Sequence, residues 1–162
     1  MRPRWHIEIG ISILKSGLAF QNCEVSVVTN VAADHLGLGG INSVEQMAKV
    51  KAVVAETTFA HGYAVLNADD DLVYKMKKDL KCNIALFSMD ENNPRIKEHA
   101  AGNGLACVYE NGYITIMKGS WKIRVLSAKN IPLTYEGKAV HNINNCLPAV
   151  LSSYLFRDIT IE

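Results

Sequence analysis

The chain has 162 residues, enough for one domain built round a single sizeable core. Its 49% apolar content, 20% charged content and net charge of +1 exclude a general nucleic-acid binder and a polybasic membrane surface. The longest apolar runs, such as "VSVV" and "AVV", are too short to span a bilayer. The N-terminal "MRPRWHIEIGISILKSG" is interrupted by Glu8 and Lys15 and shows no small-residue cleavage site, so it does not read as a signal peptide. Cys23, Cys82, Cys107 and Cys146 stand far apart with no C-x-x-C pair. That pattern fits reduced thiols in a cytoplasmic protein better than disulfides or a zinc site.

Along the chain there is no internal repeat and no low-complexity segment. "CEVSVVTNV" predicts a strand covered on both faces, because its apolar residues show no helical period. "NSVEQMAKVKAVVAETT" predicts a helix, N-capped by Asn42 or Ser43, with Glu45 in its first turn. "GYAVLNADDD" predicts a second strand running into a polar loop, and "DDLVYKMKKDL" a short amphipathic helix. "CNIALFSMD" is a third buried strand, and "NPRIKEHAAGN" a third helix bracketed by Pro94 and Gly102. Three strand–helix alternations imply βαβ units and a parallel sheet.

The pattern then changes. Residues 105–138 lose the helical period and carry turn signals at Asn111-Gly112 and Lys118-Gly119, predicting three or four short antiparallel strands. A last helix is expected over "NNCLPAVLSSYLF", with Pro148 near its start. The expected architecture is α/β: one domain over residues 1–162, a parallel sheet flanked by helices, with a small antiparallel β appendage.

In an open parallel sheet, ligands collect beyond the carboxyl ends of the strands. Asp34 and His35 fall in such a loop, where a carboxylate beside an imidazole can hold a metal ion or position a phosphate. Equally, the Asp can cap a turn while the His bonds to backbone. Lys51 is more unusual. Val44, Met47, Ala48 and Ala55 form one apolar stripe of their helix, and Lys51 lies within it, whereas Lys49 lies opposite beside Glu45 and Glu56. A lysine so placed either snorkels to water or is held neutral and nucleophilic by burial. "LNADDD" again puts polar side chains just past a strand, with Asp69 or Asp70 a candidate N-cap. In "HNINN", which opens the last helix, the amides of Asn142 and Asn145 share a helix face and suit the edge of adenine, or cap the helix. Neither G-x-x-x-x-G-K-[ST] nor G-x-G-x-x-G occurs, so the chain carries no phosphate cradle of its own.

"SGLAF", "TNVAADHLGLGGINSVEQMAKVKAVVAE", "GYAVLNADDDLV", "VYENGYITIMKGSW" and "IPLTYEGKA", in that order from about Ile13 onward, resemble the central ATPase domain of the Mur ligase superfamily. The likeness is greatest to the Mur-ligase-like region of the cyanophycin synthetases. The resemblance implies an ATP- and Mg2+-dependent amide ligase: ATP phosphorylates a carboxylate, and an amino acid amine, arginine in those enzymes, attacks it on a poly-aspartate acceptor. It implies that His35 binds magnesium and that Lys51, eight residues after Ser43, carries a carbamate supporting that ion. Asn142 and Asn145 match asparagines near the adenine ring, and Asn67 matches the asparagine of the family's "NADD" loop at the ATP site.

The sequence departs from the family in three places. The P-loop and the C-terminal domain fall outside it, "WHIEIGIS" stands where Glu-x-Ala-Arg-Gly-Gly is usual, and "HNINN" is closer to the peptidoglycan-type Mur ligases. The expectation is the later half of the central domain, without ligase activity by itself. The alternatives are a fragment of a peptidoglycan-type ligase and a non-catalytic module that binds a protein partner through a bare sheet edge. Such an edge also invites self-association into a homo-oligomer.

Overall fold

The computed structural model describes residues 22–33, 37 and 40–156. Six strands form one sheet in sequence order: β1 (Cys23–Val28), β2 (Thr58–Asn67), β3 (Asn83–Ser88), β4 (Leu105–Glu110), β5 (Tyr113–Lys118) and β6 (Trp121–Ser127). The first four pair in parallel, and the last three form an antiparallel meander. Helices α1 (Val44–Glu56), α2 (Asp71–Met76) and α3 (Pro94–Ala101) connect the parallel strands, and α4 (Val140–Leu155) closes the described chain.

The α/β reading with an antiparallel appendage is therefore correct. The appendage continues the main sheet: β4 pairs in parallel with β3 on one side and antiparallel with β5 on the other. Hydrophobic alternation reports which face a residue occupies and not the direction of its partner. Asn111 and Gly112 both have positive φ, at 49° and 85°, as the two-residue hairpin turn between β4 and β5 requires.

The strand order steps the same way at every crossover. Right-handed crossovers in one direction put every connecting helix on one face. Met47 and Ala55 of α1, Val73 and Met76 of α2, and Ile96 of α3 accordingly pack with Ala64, Leu66, Leu86 and Val108. The opposite face presents Val65, Ala85, Phe87 and Cys107, and α4 covers it with Leu147 and Leu151. Both faces being buried, β2 to β4 read as nearly unbroken apolar runs rather than alternating ones.

Helix ends follow local chemistry. Ser43 caps α1 by accepting from Gln46 N, Asp70 caps α2, and Asn93 caps α3 with Pro94 in its first turn and Gly102 at its end. The last helix starts at Val140, one residue before the "HNINN" expected to open it, so Pro148 lies in its interior rather than near its start. Its N-cap, Ala139, makes no side-chain bond, which leaves no capping signal in the sequence at that point.

All four cysteines are free, with Cys107 fully buried and its thiol pushed up by that burial. Among the described residues no helix is long and apolar enough to cross a membrane.

β2 is irregular where it begins: Cys23 and Val25 of β1 face Thr58 and Tyr63 of β2, so residues 59–62 bulge outward. Gly62 lies against β1 there, and a Cβ at this position would sit 2.3 Å from the Glu24 carbonyl oxygen. Gly62→Ala should therefore destabilise the fold by about 2 kcal/mol or more. Thermal unfolding followed by circular dichroism should show a melting temperature lower by about 4–8 °C.

Candidate functional site

The carboxyl ends of β1 to β4 lie on one edge of the sheet. β6 also ends there, since Ser127 pairs with Tyr113, which pairs with Glu110 at the end of β4. The chain then makes two 3-10 turns, Ala128–Asn130 and Pro132–Thr134, before α4 begins. The far end of α4 returns to the opposite edge, where Tyr154 packs on Trp121 at the start of β6. The start of α4, with His141, Asn142 and Asn145, thus shares the carboxyl edge with the loops after β1, β2 and β3.

Lys51 lies on the apolar stripe as expected, half-buried, while Lys49 is exposed. Its Nζ donates to the Asn30 carbonyl oxygen at 2.8 Å and approaches Asn30 Oδ1 at 3.5 Å. The side chain leans toward the N-terminal end of its helix, the usual direction, and so reaches the carboxyl edge from two turns down α1. Of the two alternatives, the geometry is that of a snorkelling lysine whose head meets a backbone carbonyl.

Asn67, 5% exposed, has both ends of its amide engaged. Nδ2 donates to Thr29 O at 2.8 Å, and Oδ1 accepts from Asp69 N at 2.8 Å. Asp70 uses one carboxylate oxygen to cap α2, accepting from Leu72 N and Val73 N, and the other to accept from Val31 N at 2.8 Å. Three consecutive residues after β1, Thr29, Asn30 and Val31, are therefore held by Asn67, Lys51 and Asp70 respectively.

A second layer fastens the β2–α2 loop to α3. The Asp69 carboxylate accepts from Ser88 Oγ at 2.6 Å, Met89 N at 2.8 Å and Asn93 Nδ2 at 2.8 Å. Arg95 Nη1 donates to Ala68 O at 2.8 Å, while Nη2 pairs with Asp71 and the guanidinium lies over the Tyr74 ring. The hydrogen bond from Arg95 holds the Asp71 carboxyl below its ordinary range. Nothing in the periodicity of the sequence marks Arg95 or Asn93 for this work. The available signal was their position, directly after a buried strand at the start of α3.

At β4 the edge carries an ion pair between Glu110, whose side chain is 10% exposed, and Lys122, 40% exposed. The hydrogen bond from Lys122 pulls the Glu110 carboxyl down, and a hydrogen bond to Glu110 pushes the Glu91 carboxyl up.

At the start of α4, Asn142 Nδ2 donates to Leu133 O at 2.6 Å, tying the second 3-10 turn to the helix. Asn145 Nδ2 lies 3.3 Å from His141 Nε2, leaving its Oδ1 as an acceptor on an exposed surface. Neither amide caps the helix. The structure brings Lys51 and Asn67 to adjacent residues of one segment and places Asn142 and Asn145 on the same edge by way of α4. Asp34 and His35 lie outside the described residues. Among the described residues no three His, Cys, Asp or Glu side chains converge as a metal cluster.

A mixed, mostly parallel sheet with helices on both faces, and amides, carboxylates and a half-buried lysine at its carboxyl edge, defines an α/β domain. The chain belongs to the Mur ligase middle-domain family, whose model matches residues 5–153. It is 55% identical over 143 residues to a cyanophycin synthetase of Geminocystis herdmanii and 54% identical over 143 residues to one of Synechocystis. Each match covers 88% of this chain and 16% of the relative, so the chain spans about one sixth of the length of these relatives. A UDP-N-acetylmuramate–L-alanine ligase of Acetivibrio thermocellus is more distant, 30% identical over 133 residues, covering 80% of this chain and 25% of that enzyme.

The edge carries two testable energetic claims. Replacing Asn67 by Ala orphans the Thr29 carbonyl and the Asp69 amide, and should cost about 2 kcal/mol, read as a lower urea midpoint. For Glu110, the lowered pKa means its pairing contributes stability above the ordinary value of 4.5 and loses it as the pH falls through the lower folded value. Lys122→Met should therefore cost about 1 kcal/mol at neutral pH, allowing for solvent around the lysine. That cost should shrink below pH 4.5, measured as the variant-to-parent difference in denaturant stability.

Proposed function

We propose that the chain is the later half of the nucleotide-binding domain of an ATP-dependent amide ligase of the cyanophycin synthetase type. On this reading a carboxylate is phosphorylated by ATP and then attacked by an amino acid amine, with arginine as the amine and a poly-aspartate chain as the acceptor. The observation that carries it is the identity of 47–55% over 88–93% of the chain to cyanophycin synthetases, well above the 30% or so to peptidoglycan ligases.

The residues have separable parts in this proposal. The Asn145 Oδ1 acceptor suits a donor on the adenine edge, and Asn142 keeps the turn before α4 in register with it. Asn67 acts at the ATP site by fixing the Thr29 backbone, since both ends of its amide are engaged. Lys51 places its amine at the carboxyl edge, where a carbamate formed on it would be an oxygen-rich anion. His35 is the proposed magnesium ligand. The described residues alone do not assemble a magnesium site, and no step is derived through the ion. Magnesium, when bound, would neutralise the phosphate charge that develops in transfer.

With no phosphate-cradling motif in its sequence, the isolated chain is expected to form no amide bond. A second reading, a non-catalytic module that pairs with a protein partner or a second copy, draws on the outer edge of β1. Among the described residues that edge has no neighbouring strand, and Val27 on it is 37% exposed.

The test is to express the whole reading frame that contains this segment and follow ADP release with ATP, Mg2+, arginine and a poly-aspartate primer. ADP release that requires both arginine and primer is the expected result. Lys51→Ala and His35→Ala should each lower it by about tenfold to a hundredfold. A native product of only 162 residues, or turnover indifferent to arginine, would replace this reading with the second one.

A further inference from the structure

Asp70 does two things with one carboxylate. Oδ1 accepts from Leu72 N at 2.9 Å and from Val73 N at 3.0 Å, which is an ordinary helix cap. Oδ2 accepts from Val31 N at 2.8 Å, across 39 residues of sequence, which no cap requires. The segment it reaches is the one that receives Lys51. Among the described residues, both acceptors that Lys51 Nζ meets belong to Asn30. Asn30 is held from one side through Thr29, by the Asn67 amide, and from the other through Val31, by Asp70.

We propose that Asp70 is a positioning residue for Lys51: by pinning the Val31 amide it fixes the Asn30 carbonyl that seats the lysine head at the carboxyl edge. The first anchor, Asn67, is buried and is also part of the ATP-site proposal, whereas Asp70 is half-buried and has no part in that proposal. A carboxylate suits the task better than any neutral side chain. It offers acceptor lone pairs on two oxygens at once, while an amide offers one oxygen and a hydroxyl reaches only one site. The consequence for catalysis rests on Lys51 being a working residue of the ligase, but the positioning itself does not.

Two variants separate the tether from the cap. Asp70→Asn keeps an oxygen for the α2 amides and turns an N–H against the Val31 N–H. Asp70→Ser keeps the cap and is too short to reach Val31. In the full 162-residue chain, two quantities are read together. One is amide exchange at Val31. The other is the rate at which acetic anhydride labels Lys51 relative to Lys49, which lies exposed on the same helix and serves as an internal control.

Both variants should keep the parent's melting behaviour within a few degrees, speed exchange at Val31, and raise the Lys51-to-Lys49 labelling ratio by about threefold to tenfold, the range expected for losing one hydrogen bond. An unchanged labelling ratio in a folded variant whose Val31 exchange has accelerated would overturn the proposal. So would unchanged exchange at Val31. Unfolding of both variants would also overturn it, because each retains the cap. Failure of the ligase reading would show instead as Lys51→Ala having no effect on ADP release in the whole protein, with the labelling result intact.

Discussion

The four parallel strands advance across the sheet in one direction, and the rest of the architecture is a consequence of that. With right-handed crossovers and no reversal, α1, α2 and α3 must share a face. The other face of β2 to β4 would then expose Val65, Ala85, Phe87 and Cys107 to water. Burying such side chains contributes about 1.5–3 kcal/mol each for the larger ones, so a bare face is not a stable option. The chain meets the requirement by turning back through β5 and β6 and laying α4 across the sheet. Because β6 ends on the carboxyl edge, α4 has to begin there. The amides of Asn142 and Asn145 arrive at the carboxyl edge for this topological reason rather than for any local one.

At that edge most polar side chains are already engaged with protein. Asn67, Asp69, Asp70 and Arg95 each bond to a backbone group of a neighbouring loop. Loops cannot satisfy one another's backbone groups as strands do, and an unpaired buried amide or carbonyl costs about 1–3 kcal/mol. These side chains remove that cost and, in doing so, join the loops after β1, β2 and β3 into one block. A block of this kind is pre-organised, so a ligand binding there need not order the loops itself. Among the described residues, the groups that still face outward sit at the margins: the Lys51 head beside its Asn30 carbonyl, and the exposed face of α4 at His141 and Asn145.

The sequence made the core and its layers legible because burial on both faces writes itself as continuous apolar runs. Lys51 was equally legible, as a charge on an apolar stripe. The start of α4 was legible only in part: "HNINN" read as its opening, while Pro148 looked like a first-turn proline and Ala139 carries no capping oxygen. The parallel pairing of β4 with β3 was hidden for a different reason, as period-2 patterning is the same for parallel and antiparallel pairing. Least legible were the long-range bonds. Asp70 announced itself as a cap by its place before "DLV", and nothing local says that its second oxygen crosses to Val31. Asn67 was singled out by resemblance to the "NADD" loop, and its hydrogen bonds recast that position as a strut. Residues that act between loops leave no periodic trace, because the spacing that joins them exists only once the sheet has formed.

A lysine head near a sheet edge could have been met by water, which would leave it free to wander over several rotamers. The Asn30 carbonyl instead gives it one address. Ordering a lysine side chain costs up to about 2 kcal/mol of rotamer entropy, more than one hydrogen bond to a carbonyl returns. The stem makes up the difference, since its methylenes lie along the same stripe that Val44 and Ala48 pack with. Lys51 is thus anchored by packing and aimed by one backbone oxygen. The aim depends on a peptide group that its own helix does not control. Control of that peptide lies with β2 and the α2 cap, which gives the β2–α2 loop a function at the β1 edge even where it touches no ligand.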